Sequence, residues 1–265
     1  MTGLGNGAEL GLWRGLVIGA LGLVVFIGGW ELAVRTGLVD AFFLPAPSTV
    51  LARMLDLASG PDAVLWHDIR MSATRVLTGF LLSALVGVPL GLLMGMSPVV
   101  RAALGPIVSI IRPLPALSWI PLSMLWLGID EQQKYSIVFM GCFASVLVYT
   151  TDATLRVDQT LIAAARNLGA SRLQVIRFVM LPGALPNILS GLKVVLAIAW
   201  TCVISAEMVG ANSGLGFRIW TAKEWSDTGQ VLVGMLSISI TVLLLDILFR
   251  GMEQLLLPWQ RGGVR

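Results

Sequence analysis

Six stretches of this chain, residues 16–34, 72–96, 104–127, 136–149, 188–209 and 231–248, are dominated by apolar side chains. All but the fourth are long enough to carry a helix across ~30 Å of hydrocarbon. Few sequence features restrict a fold so severely. Inside lipid every backbone N–H and C=O must be satisfied within the protein, which leaves helices and closed barrels. Uninterrupted runs of this length read as helices. The fourth run is short and is expected to extend to Thr151, with Lys134 and Tyr135 at its outer end.

Composition agrees. Only 12% of the 265 residues are charged and 56% are hydrophobic, whereas a soluble domain keeps roughly a quarter of its residues charged. The net charge of +3 is small and its basic residues are scattered, which argues against a nucleic-acid partner. Cys142 and Cys202 lie within apolar runs and read as small buried residues rather than a disulfide framework. With His67 as the sole histidine, no His-based zinc site can be assembled. The first run, flanked by Arg14 and Arg35, is too long for a secretory signal and reads as a retained helix.

The polar intervals carry the remaining information. Residues 36–72 contain Asp40, Asp56, Asp62 and Asp68 among Arg53, His67 and Arg70, with Pro45, Pro47 and Pro61. A short helix over residues 50–57, capped at Ser48 or Thr49, is expected at the membrane surface. The third run is interrupted by Pro106, Pro113, Pro115 and Pro121, so a broken helix facing a cavity is expected there. Basic residues in short flanks set orientation. With the N-terminus inside, Arg14, Arg101, Arg156, Arg166, Arg172, Arg177, Arg250, Arg261 and Arg265 fall on the cytoplasmic face, together with both termini.

Between the fourth and fifth runs, residues 152–186 are too polar to cross and too regular for a slack loop. Leu161, Ala164, Ala165 and Leu168 recur at helical spacing, Gly169 permits a sharp turn, and a second amphipathic piece over residues 171–180 is expected to stop at Leu181-Pro182. Two short helices around a glycine form a small-residue knob that a partner's groove could receive.

These residues carry a family resemblance. Ala163-Ala164-Ala165, Gly169 and Val179-Met180-Leu181-Pro182 resemble the cytoplasmic loop signature of binding-protein-dependent ABC transporter permeases: Glu-Ala-Ala, three residues, Gly, nine residues, an aliphatic residue, one residue, Leu-Pro. Ala163 departs from the usual glutamate. Phe43-Leu44-Pro45-Ala46-Pro47-Ser48, the stretch from Arg112-Pro113-Leu114-Pro115 to Leu127-Gly128-Ile129, and Ala206-Glu207-Met208 with Gly214-Leu215-Gly216 look like the nitrate, sulfonate and taurine importer branch. The resemblance covers roughly residues 40–258.

It implies an all-α membrane protein of the type I importer permease architecture, with about six transmembrane helices and a cytoplasmic coupling-helix loop. It also implies a bacterial inner-membrane location, a second permease copy in a homodimer, a periplasmic solute-binding protein, and cytoplasmic ABC ATPase subunits docked on Ala163, Ala164, Ala165, Gly169, Arg172, Leu181 and Pro182. The expected organisation is a cytoplasmic segment over residues 1–14, the permease domain over 15–258 and a tail over 259–265. The residues themselves agree that energy comes from elsewhere. A phosphate-binding loop needs Gly-Lys after a glycine-rich run, and Lys134, Lys193 and Lys223 follow Gln, Leu and Ala. No cofactor is therefore expected in this chain, ATP and magnesium being held by the partner.

Four residues are candidates for the translocation path. Glu207 is an ionisable group near the end of the fifth run, where burial is costly. Arg112 opens the proline-broken region and could face an anionic solute. Trp119 and Trp200 are candidate pore-lining side chains, against the usual placement of tryptophan at membrane interfaces, which suits Trp126, Trp220, Trp225 and Trp259. Asp246 and Arg250 are spaced for an i,i+4 ion pair. A membrane hydrolase is disfavoured because Gly169-Ala170-Ser171 has no histidine nearby, and a secondary transporter because no internal repeat is evident.

Overall fold

The computed structural model describes residues 12–60 and 63–258. Pro61, Asp62, Trp259, Arg261, Arg265, most of the expected N-terminal segment and the whole tail lie outside the described residues. The described chain is helical: α1 (Leu12–Arg35), α2 (Pro47–Ser59), α3 (Val64–Met96), α4 (Pro98–Ile111), a 3-10 turn (Ala116–Trp119) leading into α5 (Ile120–Leu127), α6 (Glu131–Leu155), α7 (Gln159–Asn167), α8 (Arg172–Val175), α9 (Leu181–Gly210), α10 (Leu215–Glu224) and α11 (Thr228–Leu256). Among the described residues five helices are long and apolar enough to cross a membrane, and the bent pair α4–α5 makes a sixth crossing if it counts as one span. Arg112, Pro113, Leu114 and Pro115 separate its halves, which meet at 87°. Of the four prolines expected to interrupt this run, Pro113 and Pro115 fall in the break, whereas Pro106 lies inside α4 and Pro121 in the first turn of α5.

The core is built on α3, α6 and α9. Along α3, Gly79, Gly87, Gly91 and Gly95 face Val138, Val146, Thr150 and Thr154 of α6 in constant register. The two helices therefore run parallel. A Cβ added at these glycines would lie 2.4 to 2.7 Å from the facing side chain, so only glycine admits the approach. Ser83 continues the four-residue stripe and donates to the Phe139 carbonyl at 3.0 Å. Lipid tails are as apolar as leucine, so close packing of small residues is what holds such helices together. Gly141 against Cys202 and Gly191 against Tyr149 join α6 to α9 in the same manner. Both cysteines are buried and free. By contrast α1 buries none of its apolar window, and α4 has no buried residue.

Several boundaries differ from expectation for identifiable reasons. α2 starts at Pro47 with Ala46 as its cap. Ser48 instead donates its amide and hydroxyl to Glu31 at 3.0 and 2.7 Å, tying α2 to α1. α3 begins eight residues before the apolar run and includes His67, Asp68 and Arg70, because its buried charges are paired. Leu181-Pro182 does not stop a helix: residues 172–210 form one continuous rod. Pro182 cannot fit a regular α-turn because its ring would meet the carbonyl four residues back. A π-helical turn over Ile176–Met180 widens the ladder, and Leu181 donates to the Ile176 carbonyl, five residues back. The polar interval is thus narrower than residues 152–186, its ends absorbed into α6 and the 172–210 rod. α10 was not expected as a helix.

Candidate functional site: an exposed hairpin and a buried charge cluster at opposite ends

At one end of the bundle, α7 and α8 form the hairpin. The Asp158 carboxylate accepts from the Thr160 amide at 2.8 Å and caps α7. That bond holds its pKa below the usual carboxylate range. Gly169 turns the chain at φ +83°, a left-handed conformation that favours glycine. Ser171 and Gln174 close α8 with a reciprocal capping box. Ile162 and Val175 are buried with Ala153, Val157, Ala184 and Ile188, so a small satellite core seats the hairpin on α6 and α9.

The opposite face is open. Ala163, Ala164 and Gly169 are exposed, Ala165 is half-buried, and Leu161, Leu168, Leu173 and Phe178 project between 56% and 89% exposed, whereas Arg172, also exposed, lines a cavity on the bundle side. Leu181 is partly exposed and Pro182 half-buried. Apolar side chains of this size on an otherwise polar hairpin are a mark of an interaction surface.

At the other end, the ends of α3, α6, α9 and α10 enclose a charge cluster. The Arg75 guanidinium donates to Glu131 through Nε at 2.7 Å and Nη2 at 2.6 Å, and to Glu207 through Nη1 at 2.8 Å. Nη1 also donates to the Ser213 carbonyl at 2.7 Å. Glu207 accepts from the Ser72 hydroxyl at 2.8 Å and the Gly216 amide at 2.8 Å. Ser72 accepts from the Leu215 amide and Asp68 from the Gly214 amide, each at 2.9 Å. Asp68 is also paired with Arg218. The turn entering α10 is thus held by main-chain bonds to side chains of α3 and α9. A Cβ at Gly214, whose φ is +109°, would lie 2.4 Å from Glu207, so the carboxylate packs directly on that backbone.

The four pathway candidates occupy different settings. Glu207 is enclosed within the chain, at 1% exposure. Arg112 is exposed at the α4–α5 bend, with no ion pair among the described residues. Trp119 is half-buried at the end of the 3-10 turn. Trp200 is buried in the main core, and its Nε1 has no hydrogen-bond partner among the described residues. The Asp246–Arg250 pair forms at 2.9 Å, joined by Lys193 at 3.1 Å.

Sequence reasoning passed over Asp68, Arg75, Glu131 and Arg218. A signal was available: Asp68, Ser72 and Arg75 fall at i, i+4 and i+7, one polar stripe on the entry to an apolar helix.

Comparison with known proteins places these features in a family. Residues 87–262 match the model of the binding-protein-dependent transport system inner membrane component. The chain belongs to this family of ABC importer permeases. The permease is 39% identical to the taurine transport system permease protein of Escherichia coli (strain K12), over 92% of this chain and 89% of that one. It is 31% identical to the nitrate import permease protein of Synechocystis, over 81% of each. Its fold resembles a chain of the MetNI methionine ABC transporter in an inward-facing conformation, with a TM-score of 0.66 and 22% identity, covering 75% of this permease and 99% of that chain. The type I importer permease architecture and the multi-pass inner-membrane character follow from these likenesses, and the α7–α8 hairpin lies within the matched residues.

Proposed function

We propose that this permease forms half of a translocation path for a small anionic solute of the sulfonate, taurine or nitrate class. A second, identical copy completes the path, a periplasmic binding protein delivers the solute, and a cytoplasmic ATPase docks on the α7–α8 hairpin. The single observation that carries this reading is the hairpin itself: a compact, capped, two-helix element that exposes Ala163, Ala164, Leu168, Leu173 and Phe178. Bound ATP and magnesium belong to the docked ATPase.

The hairpin side is assigned to the cytoplasm, with both termini. Arg101, Arg156, Arg166, Arg172 and Arg177 at that end support the assignment through the basic bias of cytoplasmic flanks. The exposed apolar length of α4 and α5 suits a second permease copy, and the bare face of α1 suits lipid. The relatives' taurine and nitrate names support the solute class. Arg112, Trp119, Trp200 and Glu207 remain the proposed path residues, Arg112 being the one whose charge is free to meet an anion.

The test is reconstitution of the permease with its cognate ATPase and binding protein in liposomes, followed by uptake of taurine, an alkanesulfonate and nitrate. ATP-dependent uptake of one of these is expected, together with co-purification of the ATPase. A permease that takes up none of the three but retains its ATPase would overturn the solute class while leaving the docking role intact.

A further inference from the structure

Beneath the hairpin lies a cavity of about 460 Å³ between α7–α8 and the turn joining α3 to α4. That is within the range of small-ligand sites. Its lining is divided. Met96, Ile162 and Met180 make an apolar part, while Arg166, Arg172 and Gln159 supply polar groups. Among the described residues neither guanidinium has a hydrogen-bond or ion-pair partner, and none of them brings a carboxylate to the cavity lining.

Three other basic-lined cavities differ in this respect. One holds Lys223 with Asp227, another Arg156 with Asp152, and a third Arg53 with Asp227. In each, the lining contains its own counter-charge. Among the described residues the cavity under the hairpin is lined by two positive charges and no negative one. A second feature bears on the source of the anion. From Pro98 at the cavity edge, α4 leads away along the bundle with Val99, Ile107 and Ile110 more than half exposed. A phosphate bound between the two arginines would therefore continue into an apolar track.

We propose that this cavity holds the phosphate of an anionic phospholipid of the inner leaflet. The phosphate bridges Arg166 and Arg172, and the acyl chains follow α4. Basic pockets between helices on the cytoplasmic side recognise such headgroups by charge. The bound lipid would fill the gap between the hairpin and the α3–α4 turn and so stiffen the element that meets the ATPase. This inference rests on the cytoplasmic placement of the hairpin proposed above, but its test does not need docking to succeed.

The full-length permease, in complex with its ATPase, is delipidated in detergent and titrated with phosphatidylglycerol or phosphatidylcholine, with retained lipid counted by native mass spectrometry. Wild type is expected to prefer phosphatidylglycerol by roughly thirtyfold, at about fivefold for each guanidinium. Arg166→Gln/Arg172→Gln should lose that preference. Arg70→Gln, an exposed arginine at the opposite end of the bundle, should keep it. Millimolar inorganic phosphate should compete only weakly, because it lacks the apolar part. Equal retention of both lipids by wild type overturns the proposal, as does an equal loss in the Arg70 variant. Displacement of the lipid by phosphate alone assigns the cavity to a free anion instead. If the double variant retains its lipid preference but sheds the ATPase, the two arginines serve a carboxylate of that partner, which also overturns it. Loss of the ATPase from wild type, with lipid preference intact, would count against the docking role alone.

Discussion

Arg75 and Glu207, on different spanning helices and 132 residues apart, form a 2.8 Å ion pair whose side chains are 1% and 0% exposed. Removing one member of such a pair leaves a buried charge without compensation, at a typical cost of about 3–5 kcal/mol. Arg75→Met strands both Glu207 and Glu131 and should lower the unfolding temperature in detergent sharply. Arg75→Met/Glu207→Met should recover part of the loss, because the deeper unpaired carboxylate is gone. Glu131 is 42% exposed, so Glu131→Gln should cost much less. An Arg75→Met protein that melts with wild type would show that water reaches the cluster.

The α3 stripe should tolerate no added carbon. At Gly87 a new Cβ would sit 2.7 Å from Val146 Cγ1, and overpacking of this kind typically costs about 1–3 kcal/mol. Gly87→Ala should destabilise the bundle by that order, and Val146→Ala on the same background should restore part of it. Gly22, on the bare helix α1 with open space around it, is the control: Gly22→Ala should change the melting temperature little. Equal effects at both glycines would remove the packing explanation.

At Gly169 the constraint is conformational rather than steric. Its φ is +83° and nothing lies within 4 Å of an added Cβ. Asparagine tolerates the left-handed region and valine does not. Gly169→Asn should therefore keep ATPase association, whereas Gly169→Val should weaken both association and uptake. Indistinguishable behaviour of the two variants would show that the turn's backbone is not what the ATPase reads.

Ala163 stands where the family pattern has glutamate, and it is exposed. Ala163→Glu should leave stability within about 0.5 kcal/mol, as exposed substitutions usually do. If the docking groove of the ATPase keeps a cation for that glutamate, association should tighten, with a gain that shrinks as salt rises. A salt-independent change would point away from a charge contact.

The Asp158 cap should make the hairpin insensitive to pH over the physiological range. Its carboxyl is held low by the Thr160 amide, so the cap's contribution is complete above the unfolded carboxyl's ordinary value. It is lost only as pH falls through the lower folded value. ATPase association should be flat from neutral down to mild acid, and Asp158→Ala should weaken it throughout that range. A midpoint near neutral pH would show that another group controls docking.

Much of this molecule is local and therefore legible. Apolar runs, the prolines at 113 and 115, and the Ala-Ala-Ala to Gly169 to Leu181-Pro182 spacing determined a membrane bundle, its broken span and its hairpin. Hydrophobic length and turn chemistry act over a few residues, and a sequence displays them directly. Pairing across the fold does not work this way. Asp68 meets Arg218 from 150 residues away and Arg75 meets Glu131 from 56 away, because α3 and α6 run parallel while α9 and α10 close over their ends. The helix that runs through Pro182 likewise needed a π turn that no propensity announces. The sequence by itself determined that the chain spans a membrane and carries a two-helix knob. Only the tertiary structure decided where Glu207 points, since a buried charge takes its orientation from partners that the chain brings in from elsewhere.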